Sequence, residues 1–280
     1  MSGAALVSYS SSGSEDESGS AQRDGAASAA REGGGGADAP SGRCRSALAS
    51  VTAPRLPIPD SVLSMFRDQE EKEMVVDDSS KHGGRLRTFP HERGNWATHV
   101  YVPYEAQEDF LDLLQLLLLH ARTYVPVLTA MTEFHISLSQ GVVLRYHWIN
   151  PFVQSLKEHL SSFHRFICKA DQVKVYTNQA QTRTFIGLEV STGHSQFLEL
   201  ISEVDRVMED FNLTPFYKNP SFHLSLAWCV GNLSKELEGR CLLELQEIVD
   251  GFEDSSYLLR IPGAEVRCKS GKKFFSFPLR

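Results

Sequence analysis

Two short segments carry side chains suited to proton transfer. Phe134-His135-Ile136-Ser137-Leu138 and Phe222-His223-Leu224-Ser225-Leu226 agree at every position but one conservative apolar change, and they begin 88 residues apart. In a strand, residues i and i+2 share a face. Alternation therefore sets His135 with Ser137 and Ser139 against Phe134, Ile136 and Leu138. In the second copy it sets His223 and Ser225 against Phe222, Leu224, Leu226 and Trp228. The apolar faces belong to a core. A face of imidazoles and hydroxyls suits burial poorly, because buried polar groups need partners.

If two similar lobes are related by a pseudo-twofold, both polar faces meet across one cleft. Neutral imidazole can take a proton from an attacking hydroxyl, and imidazolium can give one to a leaving oxygen. The serine hydroxyls can donate to non-bridging phosphate oxygens. This scheme needs no metal and no cofactor. Either histidine alone would read more simply as a satisfied strand residue. The repeated five-residue context favours a site.

The elements that must position these residues are legible by period. A strand is expected over 97–102, an amphipathic helix over 105–124, and the first His strand over 134–139. Asn150-Pro151 opens a helix running to about 166. Strands at 173–177 and 184–191 flank a polar hairpin loop at 178–183. A helix over 195–211 precedes the second His strand at 222–229. A helix over 235–249 and two or three short strands over 257–279 complete the order. Helices among strands and hairpins indicate an α+β or α/β fold.

Composition narrows the function classes. Residues 1–84 are rich in Ser, Gly, Ala and charge, including Gly33–Gly36, and are expected to form a mostly disordered tail, with one short docked turn or helix at 56–66. The folded domain is expected over 85–280. The formal charge is −7. That is not the balance of a general nucleic-acid binder, so any RNA contact should be local. The best basic cluster is Arg267, Lys269, Lys272 and Lys273. Five scattered cysteines without a Cys-x-x-Cys fit a reducing compartment. The most apolar run, 110–119, is too short to span a bilayer, and the polar N-terminus is not a secretory signal. The expectation is a soluble intracellular protein. No nucleophile elbow or Gly-rich phosphate loop is present. His159 and His164 lie five apart, off the spacing of a helical zinc pair, and read as surface or packing residues. Trp96 and Trp228 read as core.

The paired His-x-Ser motifs resemble the 2H phosphoesterase superfamily. The blocks 94–102, 184–188 and 216–228 resemble, within it, the branch that processes the 3′ end of U6 small nuclear RNA. The likeness covers about 85–280, and the Ser-rich opening at 7–18 resembles vertebrate members. The resemblance implies a bilobal α+β fold, with two antiparallel sheets, outer helices and a central cleft. It implies a 3′→5′ exonuclease that removes uridines and adenosines by attack of the penultimate 2′-hydroxyl, leaving a 2′,3′-cyclic phosphate. It implies His135 as proton acceptor and His223 as donor, with Ser137 and Ser225 holding the phosphate beside Ile136 and Leu224. Tyr217 would stack on the departing base, Gln179 would touch it, and the backbone of Asn219, Pro220, Ser221 and Phe222 would line the pocket. It implies a nuclear monomer whose partner is the oligouridylate end of that RNA, with no membrane partner. On the residues alone, a cyclic phosphodiesterase or RNA-ligase-like enzyme and a catalytically silent RNA-binding module remain alternatives.

Overall fold

Apolar periodicity becomes a helix-covered sheet in a computed structural model that describes residues 5–7, 79, 83, 84, 89, 92–253 and 255–280. The expected tail over 1–84, including the turn or helix at 56–66, lies mostly outside those residues. Within it, β1 (Ala5–Val7) pairs in parallel with the end of β6 (Phe166–Asn178).

Two units of the same plan organise the rest. In the first, β2 (Asn95–Tyr104) leads to α1 (Glu108–Ala121), and the chain returns as β4 (Phe134–Ser137), antiparallel to β2. In the second, β7 (Arg183–Thr192) leads to α3 (His194–Asp210), and the chain returns as β8 (His223–Val230), antiparallel to β7. Each His strand thus folds back on the strand that precedes its helix. Both helices bury a 3.6-period stripe: Phe110, Leu113, Leu114, Leu117, Leu118 and Ala121 in α1, and Phe197, Leu200, Ile201, Val204, Val207 and Met208 in α3. These pack in one core with Ile136, Leu138, Leu224 and Leu226.

The remaining elements extend the two wings. Two-residue β3 (Thr129–Ala130) pairs with β8, and β5 (Val142–Arg145) pairs with β2. A 3-10 turn at Tyr146–Trp148 enters α2 (Ile149–Leu160), which puts Pro151 in the helix's first turn, where its missing N–H costs nothing. The helix expected over 235–249 is two pieces, α4 (Ser234–Leu237) and α5 (Arg240–Gly251), because Gly239 between them has φ +77°. After α6 (Ser255–Leu258) come β9 (Arg260–Gly263), β10 (Glu265–Ser270) and β11 (Lys273–Pro278). The hydrogen-bonded order is β1-β6-β7-β8-β4-β2-β10-β11, with β9 on β6. All pairings other than that of β1 are antiparallel. The two expected sheets are joined at a single residue pair between β4 and β8, Ile136↔Leu224.

Two alternation readings are corrected by irregularities in the strands. Ser139 does not continue the polar face of β4: it is buried, and its hydroxyl accepts from the Val100 amide at 2.8 Å. Trp228 does not follow Leu224 and Leu226. The register of β7 on β8 jumps from Gly187↔Ser225 to Ile186↔Ala227, so Leu226 is an extra residue and the later side chains switch faces. Trp228 packs with Tyr176 and Phe185 in a small separate cluster. Trp96 packs against the main core, as expected. His159 is a helix clamp, its Nδ1 2.7 Å from Glu203 of α3. Among the described residues Cys168, Cys229, Cys241 and Cys268 are free and buried, and no helix is long and apolar enough to cross a membrane.

Candidate active site

The residues joining the wings are the middle residues of the two motifs. An antiparallel pair has a local twofold through its midpoint, so the pairing Ile136↔Leu224 places His135 across from Ser225 and Ser137 across from His223. Both apolar centres enter the core, at 0% and 1% exposure. Their four polar neighbours therefore share the opposite face. Diagonal cross-strand neighbours lie about 7–8 Å apart, a spacing at which two imidazoles can face one tetrahedral phosphate. His223 and Ser225 are buried, and His135 and Ser137 are half-buried.

The same face carries a wider set of polar side chains. Ladder register aligns Gln172, Glu189 and His223 in one row, and Lys174, Gly187 and Ser225 in the next. On the other wing it aligns Ser137 with Tyr101 and Arg267, and His99 with Lys269 and Phe274.

His223 is held on three sides. Its Nδ1–H donates to the Ser221 carbonyl at 2.7 Å, which fixes the tautomer, because a carbonyl can only accept. Nε2 is then the nitrogen that exchanges the working proton. The Tyr176 ring stacks on the imidazole, with centroids 3.9 Å apart and 20° between planes. The Ser221 hydroxyl donates to Glu189 Oε1 at 2.5 Å and accepts from the Tyr176 hydroxyl at 3.2 Å. Lys174 is ion-paired to the other oxygen of Glu189. Gly187 supplies the clearance beneath this ring. A Cβ there would lie 2.9 Å from the Leu224 carbonyl oxygen, 3.2 Å from Tyr176 and 3.4 Å from His223.

His135 has different company. The rings of Tyr101 and His99 lie 5.0 and 5.3 Å from its own, and those two stack on each other at 4.6 Å.

Electrostatics separate the two histidines. Burial lowers both to about 4, so both are neutral in the free protein near pH 7. For His223, the hydrogen bond to Ser221 and the charge of Glu189 oppose that fall. For His135, the charges of His223 and Lys269 add to it. His99 is held well below its usual range by burial first, then by His135 and Lys269. Burial raises the Tyr101 hydroxyl, which stays a protonated donor. An anionic phosphate between the rings would favour imidazolium at both, and the surroundings of His223 favour it more.

The remaining expected residues are spread more widely. Phe222 is a core residue stacked on Phe197 at 4.9 Å, so only its backbone can serve the site. Pro220 and Ser221 are half-buried in the loop before β8, and Asn219 is exposed there. Tyr217 lies in the same loop, its ring 5.0 Å from that of Phe216. Gln179 is exposed in the β6–β7 hairpin, five residues along the strand from Lys174. Lys269 belongs to the basic cluster marked in the sequence, while Tyr176, Glu189, Lys174, Gly187, His99 and Tyr101 were not singled out there as site residues. Their signal is positional only: they alternate with core residues on strands that carry no repeated motif. Among the described residues, no three or more His, Cys, Asp or Glu side chains gather as a metal site.

Comparison with known proteins fixes the family. The HVSL family model, described as an uncharacterised conserved protein, matches residues 56–278. The chain belongs to the HVSL family. This HVSL chain is 64% identical over 280 residues to the U6 snRNA phosphodiesterase 1 of Homo sapiens, covering 100% of each chain. It is 53% identical over 275 residues to the U6 snRNA phosphodiesterase 1 of Xenopus laevis, covering 98% of this chain and 99% of the relative. A solved structure, Kluyveromyces marxianus Usb1 with uridine monophosphate, aligns with TM-score 0.48 at 13% identity, over 65% of this chain and 98% of that one.

Proposed function

We propose that this chain is a 3′→5′ RNA exonuclease acting on the uridylated 3′ end of U6 small nuclear RNA, in the nucleus. The observation that supports the chemistry is the pairing of the two motif centres, Ile136↔Leu224, which brings the two His-x-Ser segments side by side. The substrate follows from the names of relatives that match the chain from end to end.

In this reading Nε2 of His223 enters the reaction protonated, charged on binding the anionic phosphate. His135 takes the proton of the penultimate nucleotide's 2′-hydroxyl. The 2′-oxygen bonds to phosphorus as the bond from phosphorus to the terminal 5′-oxygen breaks. His223 protonates that departing oxygen, supported by Glu189 through Ser221. The first cut yields a free nucleoside and an RNA ending in a 2′,3′-cyclic phosphate, and each later cut releases a nucleoside 2′,3′-cyclic phosphate. Ser137 and Ser225 donate to the non-bridging oxygens, where charge builds. Tyr217 stacks on the leaving base, a contact tolerant of base identity, with Gln179 and the 219–222 backbone nearby. DNA lacks the nucleophile.

The test is incubation with an oligouridylate-tailed RNA in EDTA, followed by mass spectrometry. The expected result is stepwise loss of uridines with a cyclic phosphate at each new end. An unchanged RNA, or full cleavage of a substrate whose penultimate nucleotide is 2′-deoxy, would overturn it.

A further inference from the structure

We propose that Phe274 and Lys269, on the β10–β11 wing of the catalytic face, form a subsite for the RNA strand upstream of the scissile phosphate. The inference rests on the proposed transesterification, because that reaction gives the face a direction. His135 serves the 2′-hydroxyl of the penultimate nucleotide, so that nucleotide lies on the β4 side of the phosphate. The departing nucleoside lies on the β8 side, where the 211–222 loop returns. The rest of the RNA must then leave over β2, β10 and β11.

What lies along that exit suits a single strand. From β4 the order of neighbours is β2, β10, β11. At about 4.8 Å per strand, β11 lies roughly 14 Å from the histidine. Register places Tyr101 beside Ser137, then His99 opposite Lys269, then Lys269 opposite Phe274, all on the face of His135. The Lys269 ammonium sits 4.8 Å from the Phe274 ring centroid.

Phe274 is the anomaly on this strand. Its neighbour Phe277 is buried and Phe275 packs against the core, while Phe274 is 57% exposed. A large aromatic ring held open beside a lysine on a catalytic face is the arrangement that single-stranded nucleic acid uses, stacking a base while the cation meets the backbone. Three carboxylates adjoin the track. Glu133 is 3.8 Å from Lys269, and Glu105 and Glu265 are 3.4 and 2.5 Å from Arg267. They occupy Arg267 and leave Lys269 only a long, exposed partner. This limits the subsite to one stacked base and one phosphate rather than a long basic groove.

The test compares two substrates across three forms of the full chain: unaltered, Phe274→Ala and Phe274→Trp. One substrate is the dinucleotide uridylyl-uridine, too short to reach β11. The other is a uridine oligomer several nucleotides longer. The quantity read is kcat/KM for the oligomer divided by kcat/KM for the dinucleotide. In the unaltered protein this ratio should be well above one. Phe274→Ala should lower it by about tenfold, the range of one lost base stack, and Phe274→Trp should keep it. A ratio near one in the unaltered protein, or a ratio unmoved by Phe274→Ala, would overturn the subsite while leaving the reaction intact. Failure of the unaltered protein to cleave either RNA would instead defeat the reading on which the subsite rests.

Discussion

Each histidine needs a different protonation state at the start of the proposed reaction, and two nearly identical pentapeptides cannot say which is which. The surroundings can. Glu189 stands across the ladder from His223 and reaches it through Ser221, while Lys269 stands on the side of His135. The opposed charges favour imidazolium at His223 and neutral imidazole at His135. Glu189→Gln keeps the shape and removes the charge. Its loss lowers His223 further, so less of the protein holds the acid proton at neutral pH. Activity on a dinucleotide should fall roughly tenfold at pH 7.5, the effect of a one-unit drop, and the deficit should shrink only as pH falls toward the His223 value, about 4 in the free protein. A loss that stays the same down to pH 4 would show that Glu189 acts through packing alone. None of this was legible in the sequence. Glu189, Ser221 and Tyr176 come from separate segments, and only the fold stacks them around one ring.

Strand and helix periods showed most of the elements, and the failures have local causes. The His strands and α1 and α3 were readable because each alternates or repeats over a full element. β3 has two residues, too few for a period to register, and β5 reads Val-Val-Leu-Arg, with no polar–apolar alternation. The expected helix ends at about 166 and the expected strand begins at 173, so the first half of β6 carries no period of its own, because register shifts near Lys169 and Ala170 break its alternation. The bulge at Leu226 likewise turned Trp228 to the catalytic side. At this scale Gly187 is the sharpest test, because β7 must pass beneath His223 without a side chain. Gly187→Ala puts a methyl group 2.9 Å from a backbone oxygen that cannot rotate away. The expected cost is about 1–3 kcal/mol in stability, from overpacking. The tilt of the imidazole should also lower kcat at least tenfold. Denaturant titration and steady-state kinetics on one sample measure both. Unchanged stability and kcat would mean that the strand shifts freely and that the close approach is unimportant.

At the scale of the whole sheet, the described residues form two copies of strand, helix and returning His strand, paired at Ile136↔Leu224. The repeat was visible as matching pentapeptides, and so was the idea of a shared cleft. The fastening was not, since a pairing across 88 residues leaves no trace in either local pattern. That one contact brings the two motifs side by side, and in the proposed reaction both halves act on one phosphate in one step. Groups that act as a unit lose their effect together. The direct measurement is single-turnover cleavage of an oligouridylate by His135→Ala, His223→Ala and the double variant, with folding checked by circular dichroism. Each single change should nearly abolish cleavage, and the double variant should be about as slow as either. Losses that multiply in the double variant, or substantial cleavage by either single variant, would contradict joint action on one phosphate.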